Sequence, residues 1–382
     1  MAAHLRIGII CHPTYGGSGV VASELALTLA EAGHRVHLFS HATPPRLARA
    51  TQPVEVHVAQ GIPYPLFESP PHDLAITSRV LDVHRVEGLD VVHAHYAIPH
   101  AISALVAREA ARSARDEPVP RVITTLHGTD ITLVGNDPSY APLTQYALTG
   151  SDAVTSVSLD LARRTAANFV ETPVCGIEVI PNFVDLAEFH PMPRHPGPPT
   201  AVHVSNFRRV KRVPFLVEAF ADALQEVEAR LVLVGDGPDQ DEARRVARAR
   251  GVTDHVTFLG LRDALPELLA PADLFCLSSA EESFGLSALE AMACGTAVLG
   301  TRVGGVAEVV VDGVTGTLVG ADDRAAYARA LITHFTDLER THAMGRAARE
   351  RAASKFERRA VVGQYVDLYE RVLQRAKSPG DC

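Results

Sequence analysis

Short runs of apolar, β-branched residues alternate with stretches of helical periodicity along the whole chain. In the first half the runs are LRIGIIC (5–11), HRVHLFS (34–40), VEVHVA (54–59), DVVHAH (90–95), RVITTLH (121–127), AVTSVS (153–158) and IEVIPN (177–182). Helix-like segments such as 18–32, 73–86, 99–114 and 159–168 fall between them. Strands separated by helical patterns predict βαβ units and a mostly parallel sheet. PMPRHPGPP (191–199) is the most proline-dense stretch. Proline removes backbone donors and disfavours helix before it, so this stretch predicts a linker. Beyond it the alternation restarts with TAVHVSN, ARLVLVGDG, HVTFLG, LFCLSS, TAVLGTRVG and TGTLVG. The pattern predicts two doubly wound α/β domains, 1–192 and 198–355, facing each other across a cleft. A last helix, about 356–382, is expected to pack back on the first domain. Open sheets of this kind bind ligands beyond the carboxyl ends of their strands.

Composition narrows the class. At 382 residues and 47% hydrophobic content the chain can fill two cores. A net charge of -9 argues against broad nucleic-acid or anionic-membrane binding. The five cysteines (Cys11, Cys175, Cys276, Cys294, Cys382) form no CxxC pair, which suits a reducing compartment and speaks against a structural zinc site. The start, MAAHLRIGIIC, has no charged region followed by a long apolar one, and no run approaches the roughly 18 apolar residues of a membrane span. A cytoplasmic location is expected.

Several motifs carry candidate chemistry. Gly17-Ser18-Gly19-Val20-Val21-Ala22 matches GxGxxG/A between a strand and a helix. Residues 11–16 intervene before the glycines, and no acid follows Phe39-Ser40-His41 to hold a ribose, so NAD is disfavoured. What remains is a loop whose N–H groups can approach an anion, or simply a tight turn. His93-Ala94-His95-Tyr96 closes a strand with both imidazoles on one face and no third metal ligand at a useful spacing. Satisfied histidines are expected there, with Tyr96 better placed for the cleft. TTLHGTD (124–130) offers hydroxyls and an imidazole at a strand end, unless Thr129 and Asp130 only cap the next segment of chain.

The second half is richer. After Ser205-Asn206-Phe207, four of five residues are basic: Arg208, Arg209, Lys211 and Arg212. At a strand end they could neutralise a diphosphate; elsewhere they would be a solvated face. In Glu282-Ser283-Phe284-Gly285-Leu286-Ser287-Ala288-Leu289-Glu290, the first glutamate is expected in a loop and the second in a helix. N–H groups from Gly285 to Ser287 then present the positive end of the helix dipole. Phosphates at the helix start and two carboxylates for hydroxyls fit a sugar nucleotide.

Together the two spaced glutamates, the GGSG loop, SNFRRVKR, VGDGP (234–238), EAMACG (290–295) and VGGVAEVV (303–310) resemble the GT-B glycosyltransferases of family 4. The likeness covers nearly the whole chain. HPTYGGSGVVASEL, VVHAHYAIPHA, TTLHGTDIT, HVSNFRRVKRV and EESFGLSALEAMACG are similar to family members that move N-acetylglucosamine from UDP-N-acetylglucosamine to L-malate, the first step of bacillithiol synthesis. The resemblance implies that Glu290 holds ribose hydroxyls and Glu282 hexose hydroxyls. It implies backbone contacts to the donor from Phe284, Gly285, Leu286 and Ser287, and a leaving diphosphate stabilised by Lys211 and Arg208. Ser205 and Asn206 fall in the donor site, Asn206 where many relatives carry an arginine. His127 would lie near the reacting sugar and Gly19 near the β-phosphate. Gly17, Ser18, Tyr96, Thr129 and Gln145 are the acceptor residues implied, Gln145 standing where malate-binding relatives tend to have arginine. The implied reaction retains the α configuration by front-side displacement, with no cofactor and no metal. The implied partners are small molecules, not nucleic acid or a membrane, and a homodimer is left open. The motifs also admit another acceptor (inositol phosphate or a lipid carrier) or a sugar-nucleotide binder without turnover.

Overall fold

The computed structural model describes residues 4–375 apart from 15, 50–52, 64, 67, 117, 170–175 and 195. The chain forms two compact units, Met1–Pro181 with Arg359–Cys382, and Asn182–Arg358. In the first, β1 (Arg6–Ile10), β2 (Arg35–Ser40), β3 (Val54–Val58), β4 (Val91–His95), β5 (Arg121–Leu126), β6 (Ala153–Ser156) and β7 (Ile177–Val179) make one sheet. Their order is β3-β2-β1-β4-β5-β6-β7, with parallel pairing throughout. The intervening helices are α1 (Ser18–Glu31), α2 (His72–Glu87), α3 (Ile102–Ala114), α4 (Thr129–Thr132), α5 (Ala141–Gly150) and α6 (Leu159–Asn168). Central β4 is buried along its whole length, whereas edge strand β3, with Glu55 and His57 set between valines, is not.

The second unit repeats the plan. Its strands are β8 (Thr200–Val204), β9 (Arg230–Val234), β10 (Val256–Gly260), β11 (Leu274–Leu277), β12 (Ala297–Thr301) and β13 (Gly316–Val319). They lie in the order β10-β9-β8-β11-β12-β13, all parallel. Its helices are α7 (Val213–Ala223), α8 (Gln240–Ala249), α9 (Pro266–Leu269), α10 (Leu286–Ala293), α11 (Val306–Val309), α12 (Arg324–Thr336) and α13 (Leu338–Lys355). Phe207, Phe220, Tyr327 and Leu331 anchor one continuous core.

The unit boundary falls at Pro181/Asn182, not at 192, and the proline-rich stretch begins inside the second unit. The cause is local bonding. Arg349 Nη1 on α13 donates to Phe189 O and Ala293 O, each at 2.6 Å, and the Val184 N–H donates to Phe356 O. Residues 182–190 are thus tied to the second unit before the prolines begin. The last helix, α14 (Arg358–Gln374), belongs to the first unit, burying Tyr365 and Tyr369 and hydrogen-bonding His93 Nδ1 through Tyr369 Oη at 2.7 Å. The expected helix end at 376–382 lies outside the described residues, as do Cys175 and Cys382. Cys11, Cys276 and Cys294 are free and buried, and burial pushes each thiol up to about 12, which leaves them unreactive. Among the described residues no helix is long and apolar enough to cross a membrane.

Two helical glycines separate propensity from packing. A Cβ on Gly345 of α13 would meet Gly295 O at 2.2 Å, whereas one on Gly363 of α14 meets nothing within 4 Å. Alanine gains about 1 kcal/mol over glycine in a helix interior. Gly363→Ala should therefore raise the melting temperature and Gly345→Ala lower it. Calorimetry of both variants checks this; a stabilised Gly345→Ala would contradict it.

Candidate active site

In each sheet the strand order reverses at one pair: β1/β4 in the first unit and β8/β11 in the second. At such a point successive connections leave on opposite faces and a crevice opens beyond the carboxyl ends. The residues singled out in the second unit gather there. The segment after β8 turns through Ser205, Asn206 and buried Phe207, whose φ is 40°. Its backbone is backed by the VGDGP turn. A Cβ on Gly235 would sit 1.8 Å from Ser205 O, and one on Gly237 2.0 Å from Asn206 O, so this close approach requires glycine. Ser205 is held by a relay: the Phe207 N–H donates to Ser205 Oγ, which donates to His203 Nε2 at 2.8 Å. His203 Nδ1 donates to Cys276 O, also at 2.8 Å, and burial lowers this histidine to about 4.

The loops after β8 and β11 are stitched together. Ser278 Oγ donates to Lys211 O at 2.7 Å, and the Ala280 N–H donates to Val210 O at 2.7 Å. Lys211 Nζ then meets Glu282 Oε2 at 2.6 Å, with Ser279 Oγ donating to the same oxygen. The side chains of the pair are 22% and 15% exposed, so both ions are largely stripped of water. Such pairs return little net stability. Placed at a crevice, they are instead charges ready for a ligand. Beside them α10 begins at Leu286 after Gly285, whose φ is 95° and which offers no side-chain cap. Ser287 lies in the first turn and Glu290 is the fifth residue of this helix, half-buried. Phe284 is buried edge-on against Phe356 at 5.8 Å. Arg208 and Asn206 are exposed.

In the first unit the β1/β4 switch point holds the other set. The loop after β1 enters α1 at Gly17 (φ 59°), again without a side-chain cap, followed by buried Ser18 and Gly19. A Cβ on Gly19 would come within 2.6 Å of His12 O, so the loop folds tightly over the helix start. Tyr96, just past β4, holds a φ of 97°, an uncommon conformation for a non-glycine residue. It is fixed by its N–H donating to Thr125 O, by Tyr96 Oη against Thr129 Oγ1 at 2.9 Å, and by stacking on His127. His12 packs edge-on against Tyr96 at 5.2 Å, joining the glycine loop to this cluster. Gln145 is half-buried on α5, which packs against the 97–101 turn after Tyr96.

The histidines form more than isolated strand-end residues. His95 Nδ1 lies 2.9 Å from His127 Nε2, and His93 Nε2 lies 2.6 Å from Thr125 Oγ1. His100 Nδ1 donates to His95 O at 2.7 Å. Burial lowers His93, His100 and His127 to about 3, and lowers His95 well below the usual range. Asp130 is fully buried and accepts the N–H groups of His127, Gly128 and Ala97. Desolvation outweighs those bonds and raises it to about 6. Asp130 therefore organises the loops under His127 and Tyr96, the capping alternative in an extended form. The sequence motifs did not single out His12 or His100, nor did they show that His95 meets His127. Adjacent parallel strands bring these rings together, and only register reveals that.

A separate cavity of about 210 Å³ opens near Leu74, Ile98, Pro99, Ile102, Val106 and Leu143. Its lining is mostly apolar and includes none of the sequence-derived site residues, so it does not suit a polyhydroxylated ligand.

Comparison with known proteins matches residues 15–188 to the Glycosyltransferase Family 4 model and residues 187–351 to the Glycosyl transferases group 1 model. The chain is 40% identical to N-acetyl-alpha-D-glucosaminyl L-malate synthase of Bacillus anthracis, over 98% of this chain and 99% of that one. It is 30% identical to the D-inositol 3-phosphate glycosyltransferase of Salinispora tropica, over 93% and 80%. Among solved structures, sucrose-phosphate synthase from Thermosynechococcus elongatus superposes with a TM-score of 0.76 at 24% identity, covering 96% and 99% of the two chains. HepE from Anabaena, in complex with UDP and glucose, gives 0.78 at 21% identity, covering 96% and 100%. The architecture is GT-B: two parallel-sheet α/β domains.

The buried imidazoles make stability pH-dependent with a defined sign. Their native pKa values lie below the unfolded value of about 6.5. Unfolding therefore takes up protons between pH 6.5 and about 3, and stability that is complete above pH 6.5 is lost as pH falls. Asp130, raised to about 6, acts oppositely between about 4 and 6, but is one group against four. Melting temperature should fall steadily from pH 7 to pH 4.5, with a shallower slope in His100→Gln. A flat profile would contradict the neutral burial of these rings.

Proposed function

We propose that this chain, which belongs to the family 4 glycosyltransferases and carries a group 1 transferase domain, transfers N-acetylglucosamine from UDP-N-acetylglucosamine to the hydroxyl of L-malate with retention at the anomeric carbon. The observation that carries the donor half is the Lys211–Glu282 pair at the β8/β11 switch point, beside the uncapped start of α10. A sugar diphosphate would take Lys211 from Glu282. Lys211, Arg208 and the N–H groups of Gly285 to Ser287 then face phosphate oxygens, and Glu282 is released to sugar hydroxyls. Glu290 takes the ribose hydroxyls, while Ser205, Asn206 and Phe284 shape the pocket. Each well-placed donor to developing phosphate charge is worth roughly 3 kcal/mol.

Retention needs either a carboxylate nucleophile or attack from the leaving-group side. The carboxylate beneath His127 and Tyr96, Asp130, is buried and engaged by three backbone N–H groups, which supports the second route. The departing phosphate oxygen takes the acceptor proton, and the family resemblance assigns His127 to the reacting sugar. Positive charge comes from side chains and helix amides, so transfer needs no divalent ion. For the acceptor, Gly17, Ser18 and Gly19 offer amides at the α1 start to one carboxylate. Tyr96 and Thr129 offer hydroxyls to the other, with Gln145 in reach of a weaker contact than arginine would give. The higher identity to the malate synthase than to the inositol phosphate transferase supports malate, as does the lack of Lys and Arg in HAHYAIPH and TTLHGTD.

Incubation of UDP-N-acetylglucosamine with equal concentrations of L-malate and inositol phosphate should yield the malate glycoside, identified by mass spectrometry, with or without EDTA. Faster transfer to inositol phosphate would overturn the acceptor; loss of activity in EDTA, restored by magnesium or manganese, would overturn the metal-free mechanism. Lys211→Ala and Glu290→Ala should each lower kcat by about 10²–10³, and Lys211→Ala should also lower the melting temperature because it leaves Glu282 without its ion-pair partner. Wild-type turnover in either variant would remove the donor assignment.

A further inference from the structure

The outermost strand pair of the first sheet carries a cluster that the transfer reaction does not use. Register sets His37 of β2 opposite Glu55 of β3, and Phe39 opposite His57. With a side-chain period of two, His37, Glu55 and His57 stand on one face. His37 Nδ1 lies 3.0 Å from His57 Nε2 and 3.6 Å from Glu55 Oε2, and one ligand atom from each residue lies within 4.8 Å of the others. His37 is fully buried, whereas the Glu55 side chain is 50% exposed, so the group opens to solvent on one side. Ile9 of β1 pairs with both Leu38 and His93. His93 is therefore in step with Leu38 rather than His37, and the cluster lies on the sheet face opposite His93 and His95.

We propose that His37, Glu55 and His57 form a site for one divalent ion of the zinc class, pinning edge strand β3 to β2. Two imidazole nitrogens and a carboxylate suit zinc, cobalt, nickel or copper, and not magnesium or calcium, which take oxygen alone. Tetrahedral ligation at about 2.0–2.1 Å per nitrogen sets the nitrogens about 3.3 Å apart, a few tenths of an ångström from the spacing present. The ligands are prepared for it. Each neutral imidazole carries one ring lone pair, and His37 Nδ1 and His57 Nε2 already face each other at 3.0 Å. Phe39 stacks on the His57 ring at 4.9 Å and fixes its plane. Arg35 donates to Glu55 Oε1 at 3.3 Å and pairs with Glu87, which steadies the carboxylate and leaves Oε2 towards the histidines. A partner of this kind, one bond removed from the ion, orients the ligand. A water completes the fourth position on the exposed side. Because the ion joins two strands of the folded sheet, it binds the native state and stabilises it by mass action.

The test uses the full chain stripped of metal and titrated with Co²⁺. One equivalent should produce the visible absorption of a tetrahedral site, Zn²⁺ should displace it, and either ion should raise the melting temperature by several degrees. His37 is buried and its replacement risks the fold, so the diagnostic variants are His57→Gln and Glu55→Gln on the edge strand. His57→Gln should abolish the cobalt spectrum and Glu55→Gln weaken binding at least tenfold, both with unchanged far-ultraviolet circular dichroism and transferase activity. No tetrahedral spectrum at 100 equivalents, or the same spectrum in His57→Gln, would overturn the site.

Discussion

The constraint on which the rest of the structure depends is the handedness of parallel crossovers. Each sheet begins at a central strand, winds outward one way, and then returns to wind the other: β1 to β3 before β4 to β7, and β8 to β10 before β11 to β13. Right-handed connections taken in opposite directions must leave the two central strands on opposite faces. Backbone cannot fill the gap beyond their carboxyl ends. The glycine loop and Tyr96 at one switch point, and the basic turn and Glu282 at the other, occupy those gaps, where the strand ends leave room for polar groups beside a buried core.

Holding polar groups in such a gap without ligand takes different forms in the two units. The second uses opposite charges, with Lys211 and Glu282 compensating each other and Ser279 adding a hydrogen bond. The first uses neutral rings. Three buried histidines and the half-buried His127 bond to a hydroxyl, a carbonyl or one another, and desolvation keeps them uncharged. A neutral imidazole donates and accepts at once, so it can stiffen a loop without placing a fixed charge beneath it. Ionising it there would cost more than its bonds return. Asp130 obeys the same rule from the acidic side, its carboxyl raised despite three backbone donors.

The strands were legible because buried parallel strands read as short apolar runs, and each run in the sequence became one strand. Helix α10 was legible for similar reasons: a loop glutamate, an entry glycine at 285 and an exit glycine at 295 with φ 78°. The domain boundary was not, because Arg349 reaches back to Phe189 from 160 positions away and no local composition announces that. Nor were the histidine contacts. His95 and His127 are 32 positions apart, and His37 and His57 are 20 apart. Their proximity exists only once strand register is known. The motif residues could be named in advance since each motif is contiguous; what they touch depended on pairing between strands.

The same distinction separates donor recognition from acceptor recognition. A sugar diphosphate presents charge, and charge leaves marks in sequence: four basic residues in five, glutamates at a fixed spacing, a helix entered through glycine. A small hydroxy acid can be held by backbone amides and hydroxyls, which leave few marks, since any residue supplies an amide. Two related enzymes that differ only in acceptor can thus keep one donor apparatus, and a 40% relative and a 30% relative name different acceptors for one family. Fold does not choose between them. The choice falls to the charge of the first-unit cluster. There the histidines are held neutral, Tyr96 and Thr129 contribute hydroxyls, and the HAHYAIPH and TTLHGTD segments contribute no cation. A phosphate dianion, densely charged on one atom, calls for cations. Two separated carboxylates spread the same charge over two places, each within the capacity of amides and hydroxyls, and that is the physical ground for preferring the dicarboxylic acid.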